Sequence, residues 1–261
     1  MVFLKTEDEI ELMRAANLLV ADTLAELGKI IRPGVSTAEL DKVAEEYIRD
    51  HGAVPTFKGV PKPFGGPFPG SVCTSVNDVV VHGIPGEEVL KDGDIISVDC
   101  GALLNGFNGD SCYTFCVGEV SEEVRNLLKV TKESLYEGIR NACAGKRLGD
   151  VGYAVQTHCE SAGYGVVREF VGHGIGKEMH EDPQVPNYGR KGNGILIKNG
   201  LCIAIEPMIT MGSPQIYMMP DRWTIKTRDG KPAAHFEHTI AIHHGKADIL
   251  SSFEKIENQQ N

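Results

Sequence analysis

The sequence has no run of about 18 apolar residues, the minimum for a helix that crosses a bilayer, so no such helix is expected. It also has no Cys-x-x-Cys pair. Its seven cysteines are an odd number scattered from Cys73 to Cys202, which fits neither a disulfide framework nor a zinc ribbon. Cys112 and Cys116, in the strand-like stretch Ser-Cys-Tyr-Thr-Phe-Cys-Val, point to one face and read as small buried hydrophobes. Positive charge is scarce, with 26 Lys+Arg against 36 Asp+Glu and a net charge of −10. That balance opposes direct binding to nucleic acid or to an anionic membrane, because few cations are available to neutralise phosphate. The opening Met-Val-Phe-Leu-Lys-Thr-Glu-Asp turns acidic at once and lacks the basic and apolar regions of a signal peptide, so a cytoplasmic protein is expected. Phosphate-binding loops and a Ser/His/Asp pattern are missing too. The remainder is ordinary for a globular chain: 261 residues, 41% hydrophobic and 24% charged, enough for a buried core.

Four helices are legible. Thr6-x-x-Glu9 forms a capping box ahead of Ile10, Met13, Val20, Leu24 and Leu27, and Ser36-x-x-Glu39 caps a second helix that ends near Gly52. A third is expected from Ser121 to Ala142, and a fourth from about Asp150 to Gly163. The pattern repeats. Gly34 and Gly52 bracket the second helix at the separation with which Gly145 and Gly163 bracket the fourth. Lys91-Asp-Gly-Asp-Ile-Ile-Ser-Val-Asp99 then aligns with Lys198-Asn-Gly-Leu-Cys-Ile-Ala-Ile-Glu206. Asp110 precedes Gly118 by the same distance as Glu237 precedes Gly245. Two repeats are too few for a solenoid, so a duplicated α+β unit is expected, its halves related by a pseudo-two-fold axis.

Such an axis would bring Asp99, Asp110, Glu206 and Glu237 together. Taken singly, each reads as a strand-end surface acid; four at equivalent places in two repeats read otherwise. Carboxylates buried together cannot all ionise without a cation, so the set calls for metal. Val171-Gly-His-Gly-Ile-Gly176 adds His173 between glycines that admit close backbone approach. Alone, it would read as a satisfied polar histidine. With the acids it completes a five-ligand N/O set suited to Mn, Fe, Co or Zn rather than Cu(I). Two ions about 3.5–4 Å apart can hold a bridging water of lowered pKa and stabilise the oxyanion of an attacked carbonyl.

These five motifs, Ser-Val-Asp99, Asn-Gly-Asp110, Gly-His173-Gly-Ile-Gly, Ile-Glu206-Pro-Met and Phe-Glu237-His-Thr, resemble those of the methionine aminopeptidases, and the resemblance runs from the first helix to about Ile249. It implies the "pita-bread" fold, an antiparallel sheet covered by helices in two pseudo-symmetric halves, here about 1–118 and 119–250 of a single catalytic domain. The short N-terminus and the absence of an inserted subdomain imply type I. The resemblance also implies two divalent ions (Co, Mn, Fe(II) or Zn), with Asp99 on one, Asp110 and Glu237 bridging both, and His173 and Glu206 on the other. Glu206 would be the general acid/base that takes a proton from the bridging hydroxide's parent water. His82 (Val-His-Gly-Ile-Pro) and His180 (Met-His-Glu-Asp-Pro) match the family histidines that contact the substrate peptide bond. Cys73 keeps its family place, and Trp223 matches a pocket aromatic, a plain core aromatic being the alternative. The implied activity is removal of N-terminal methionine from nascent chains and peptides when the second residue is small. Nascent-chain N-termini would be its partners, with transient ribosome association and a monomeric state.

The sequence departs from the family in places. The Pro/Gly-rich stretch 57–70 is longer than usual, so Phe64 and Phe68 are expected walls of the methionine pocket, and Met179 stands where an aromatic is common. His235, His238 and the pair His243-His244 are expected to be structural. The polar tail 251–261 is expected to be disordered. An X-Pro peptidase of the same fold and a non-catalytic binding protein on this scaffold are the alternatives. The short N-terminus counts against the first and the full ligand set against the second.

Overall fold

The computed structural model describes residues 1–62 and 66–260; Phe64 lies outside the described residues. Helix α1 (Glu7–Ile30) starts as the capping box requires. Thr6 Oγ1 accepts from the Glu9 amide, and the Glu9 carboxylate accepts from the Thr6 amide at 3.0 Å. Helices α2 (Thr37–Asp50) and α3 (Glu122–Asn141) are capped by Ser36 and Ser121. Helix α4 (Leu148–Ser161) begins two residues before Asp150, whose carboxylate accepts from the Arg147 amide.

All strand pairings are antiparallel. The nine-stranded sheet runs in the order Val54–Pro55, Ile95–Leu104, Phe107–Cys116, Glu237–His243, Cys202–Ile205, Gly172–Gly174, Glu181–Val185. Val72–Val76 pairs off Ile95–Leu104, and Lys246–Ile249 off Glu237–His243. Strands of the first half and of the second therefore meet at one seam, between Phe107–Cys116 and Glu237–His243. The repeat seen in the sequence is a repeat of backbone. Gly93 and Gly200 enter their strands at φ +93° and +83°, a conformation that side chains resist.

One face of the sheet is covered by helices. Val98, Cys100, Tyr113 and Phe115 alternate out of their strands into a core shared with Val20, Leu24, Leu127 and Leu135. The opposite face carries Asp99, Asp110 and Glu237.

The C-terminal segment differs from expectation. Residues Glu254–Gln260 form a fifth helix, α5, rather than a disordered tail. Two apolar side chains explain it: Phe253 and Ile256 are buried in the main core, and the Phe253 ring stacks on His238 at 3.8 Å. Lys132 ties Glu257 to α3 at 2.8 Å. The tail is part of the domain.

Helix α1 also packs closely, from the far side of the sheet, on the strand that carries Asp110. A Cβ at Gly109 would lie 2.5–2.7 Å from the backbone of Ala16 and Asn17, so strand and helix are in direct contact there. That approach lets Asn17, fully buried and bonded through its Nδ2 to the Met13 carbonyl, accept from the Asp110 amide at 3.1 Å. Gly109→Ala has no space to fill, and overpacking of this kind costs about 1–3 kcal/mol. Denaturant unfolding should show that loss; an unchanged midpoint would mean the helix yields freely.

Candidate metal centre

Strand register assembles the site. Across the sheet, Cys73 pairs with Asp99, Asp99 with Cys112, and Cys112 with Glu237, which places all four side chains on one face. Asp110 is two residues from Cys112 and shares that face. Gly174 pairs with Ile203 and Ile203 with Ile240, three residues past Glu237 and hence on the helix side. His173 and Glu206 fall on the acid side by the same parity. The ligand atoms of Asp110, His173 and Glu237 lie within 4.8 Å of one another. His173 Nε2 stands 3.6 Å from Asp110 Oδ2 and 3.7 Å from Glu206 Oε1.

The backbones are pinned while the carboxylates are left free. Thr239 Oγ1 donates to the Asp110 carbonyl at 2.9 Å, Ser111 Oγ to the Glu237 carbonyl at 2.7 Å, and Asn187 Nδ2 to the Glu206 carbonyl at 2.9 Å. Meanwhile Asp99 Oδ1, Asp110 Oδ1 and Glu237 Oε1 are buried without a hydrogen-bond partner. Three orphaned carboxylate oxygens in one site are costly unless a cation fills the space between them. The His173 ring agrees. Its Nδ1 faces the Gly174 carbonyl at 2.9 Å, so that in the neutral ring Nδ1 would carry the proton and Nε2 would offer its lone pair to a cation among the acids. The donor set therefore fits divalent metal, with oxygen ligands and one imidazole.

Protonation reflects the same crowding. Burial, then the charges of Asp110 and Glu206, push the Asp99 carboxyl well above its usual range. Burial, followed by Asp110, Glu206 and Asp99, does the same to Glu237. Burial would lower His173, but its hydrogen bond to Asp110 and the charges of Glu206 and Asp110 win and raise it to about 9. His82 moves the other way, down to about 4, chiefly by burial. His180 is also lowered, by burial and then by His173.

The acids sit between two spaces of different character. On one side is a cavity of about 90 Å³ walled by Phe57, Val60, Phe68, Cys73, Trp223 and His82. That is room for several waters, on the scale of one side chain. Trp223 stands edge-on to Phe68 at 5.1 Å and donates through Nε1 to the Gly66 carbonyl at 3.1 Å. On the other side a wider cleft of about 580 Å³ includes Phe170, Met208 and His235. His82, Asp99, His173, His180 and Glu206 line both.

Comparison with known proteins agrees with this geometry. Residues 11–244 match the model of metallopeptidase family M24. The chain is 52% identical over 252 residues to the methionine aminopeptidase of Clostridium acetobutylicum, covering 96% of this chain and 99% of that one. The chain belongs to metallopeptidase family M24 and, within it, to the methionine aminopeptidases. The structure of methionine aminopeptidase from Thermotoga maritima superposes with a TM-score of 0.92 at 43% identity, covering 97% of this chain and all of that one. Prolidase from Pyrococcus furiosus, 22% identical with a TM-score of 0.75, shares the fold, and this chain spans 65% of its length. The expected pita-bread architecture is thus the family's own.

All five expected ligands come together in this M24 site, and His82, His180, Cys73, Phe68 and Trp223 surround them. Met179 does not join the cavity lining. It packs against the cluster of Ile10, Met13 and Phe107, with Cε 2.5 Å from where a Gly101 Cβ would stand. Phe57 and Val60 were not expected there. Their segment is tied to Phe68: the Gly59 amide donates to the Phe68 carbonyl at 2.8 Å, and the Phe68 amide to the Val60 carbonyl at 3.0 Å. His235, expected to be structural, faces Glu206 at 3.6 Å. Its spacing was the available signal, since it lies two residues before Glu237, the even separation that puts side chains of an extended segment on one side.

Proton uptake sets the stability of the metal-free protein. Asp99, Glu237 and His173 hold protons more tightly folded than unfolded, so their contribution fades as pH rises. His82, His180 and His238 work oppositely, but only where the unfolded imidazoles would charge, below about 6.5. Above that, His173 alone costs up to about 1.4 kcal/mol per pH unit until its folded value near 9. Chelated protein should lose melting temperature steadily from pH 7 to 9. A flat or rising profile would contradict the protonation assigned to the site.

Proposed function

We propose that the chain removes the N-terminal methionine from peptides and nascent chains whose second residue is small, using two divalent ions. The placement of the acids where a small, largely apolar cavity adjoins a wider cleft carries this reading. The first offers room for an N-terminal side chain, and the second offers a path for the rest of the peptide. Asp99 would hold one ion and Asp110 and Glu237 both, while His173 and Glu206 would complete the other. When bound, such ions polarise the scissile carbonyl and lower the pKa of a water.

The chain's own residues supply the rest. Glu206 is placed to collect the proton from that water, being held by its backbone while its carboxylate stays open to both spaces. His82 and His180 are neutral at working pH because burial lowers both. A neutral imidazole can donate an N–H to the carbonyl oxygen as charge develops, without competing with the cations for carboxylates. His82 is set for this by strain: its φ is +58°, and its ring stands edge-on to Phe170 at 5.4 Å with Nδ1 buried and unpartnered. Phe170, Met208 and His235 line the cleft beside the acids, where the second residue of a substrate would lie.

Mn(II)-loaded protein should cleave Met-Ala-Ser and leave Met-Lys-Ser and Ala-Pro-Ala intact. Equal rates on the two methionyl peptides would refute the size limit, and cleavage of Ala-Pro-Ala alone would make the chain an X-Pro peptidase.

A further inference from the structure

We propose that His235 is a positioning residue for Glu206: its ring holds the carboxylate oxygen that faces away from the other ligands. The inference rests on the reading of Glu206 as the proton acceptor. The two oxygens of Glu206 have different neighbours. Oε1 stands 3.7 Å from His173 Nε2, within the ligand set, whereas Oε2 stands 3.6 Å from His235 Nε2. His235 is 2% exposed, and its Nε2 is buried with no hydrogen-bond partner. A buried, unpartnered ring nitrogen beside a carboxylate oxygen is one short adjustment from a hydrogen bond.

The main chain that carries the ring is held on both sides. The His235 amide donates to Thr114 Oγ1 at 3.0 Å, and Thr114 Oγ1 donates back to the His235 carbonyl at 2.7 Å. Thr114 is itself fixed by Ser97 at 2.8 Å. Across the sheet, His235 pairs with Met208, two residues beyond Glu206, so the two side chains ride on a common frame. A carboxylate that must bind a cation through one oxygen and take a proton on the other needs its rotation fixed. His235 fixes it. Partners of this kind typically contribute 10–100-fold to metal affinity or rate.

The test compares His235→Leu, His235→Asn and His235→Gln. Glutamine carries its amide nitrogen as many bonds from Cβ as histidine carries Nε2, whereas asparagine is one bond short. Each variant is checked by thermal melting, and the smaller, polar asparagine keeps the comparison open if the leucine variant does not fold. On Met-Ala-Ser, kcat should fall roughly 10–100-fold for leucine and asparagine, with KM within about threefold, and glutamine should restore most of it. Calorimetric titration of Mn(II) without substrate should show weaker binding for the same two variants and recovery with glutamine. Parent-like kcat and Mn(II) affinity in the asparagine variant, or a change confined to KM, would overturn the proposal and leave His235 a wall of the cleft. A parent protein that fails to cleave Met-Ala-Ser would fault the functional reading instead, and the calorimetric comparison would still decide the role of His235.

Discussion

Mutual repulsion among four carboxylates on one sheet face is the constraint around which this protein is arranged. Asp99, Asp110, Glu206 and Glu237 come from both halves of the chain and meet across the seam between Phe107–Cys116 and Glu237–His243. Among the described residues no lysine or arginine pairs with them: His173 stands beside Asp110, lifted to about 9 by its bond to Asp110 and the charges of Glu206 and Asp110. The fold therefore stores an electrostatic demand that burial enlarges and a divalent cation would meet.

Rigidity around that demand comes from neutral polar side chains rather than from counter-charges. Asn17, Thr239, Ser111 and Asn187 each bind a main-chain group of a ligand-bearing residue and leave its carboxylate alone. A lysine or arginine in the same places would have quenched the site and removed its affinity for metal. The helices serve the same end from the far side of the sheet. The close approach at Gly109 carries Asn17 down to the strand, so the packing of α1 and the position of Asp110 are one feature.

What the sequence made legible was local chemistry and repetition. The caps at Thr6, Ser36 and Ser121 act within one helical turn, the paired Lys-Asx-Gly entries lead to Asp99 and Glu206, a second repeat leads to Asp110 and Glu237, and the Gly-His-Gly motif adds His173, all candidate ligands whose roles rest on the family resemblance. The departures lie where long-range packing decides. Phe253 and Ile256 are two apolar residues in a polar stretch, too few to signal a helix alone, yet enough once the groove beside His238 is there to receive them. Phe57 and Val60 reach the cavity only through the folding of their loop. Met179 packs beside Gly101 and Phe57 on the acid-bearing face, outside the cavity lining. His235 was set aside as one of two histidines flanking an acid, and alternation along the chain separates them: His235 faces the site, whereas His238 packs on Phe253.

Thermal melting of the protein with chelator and with Mn(II), metal removal being verified by elemental analysis, tests most directly whether the carboxylates form one cation-demanding site. A ligand that binds only the folded state at about 100 times its dissociation constant stabilises by about 2.7 kcal/mol. At ~2–4 °C per kcal/mol for a chain near this size, the midpoint should rise by roughly 5–11 °C with metal. Asp110→Asn, with one charge fewer at the shared position, should shrink that rise. Equal midpoints with and without metal would contradict the convergence on which the whole reading depends.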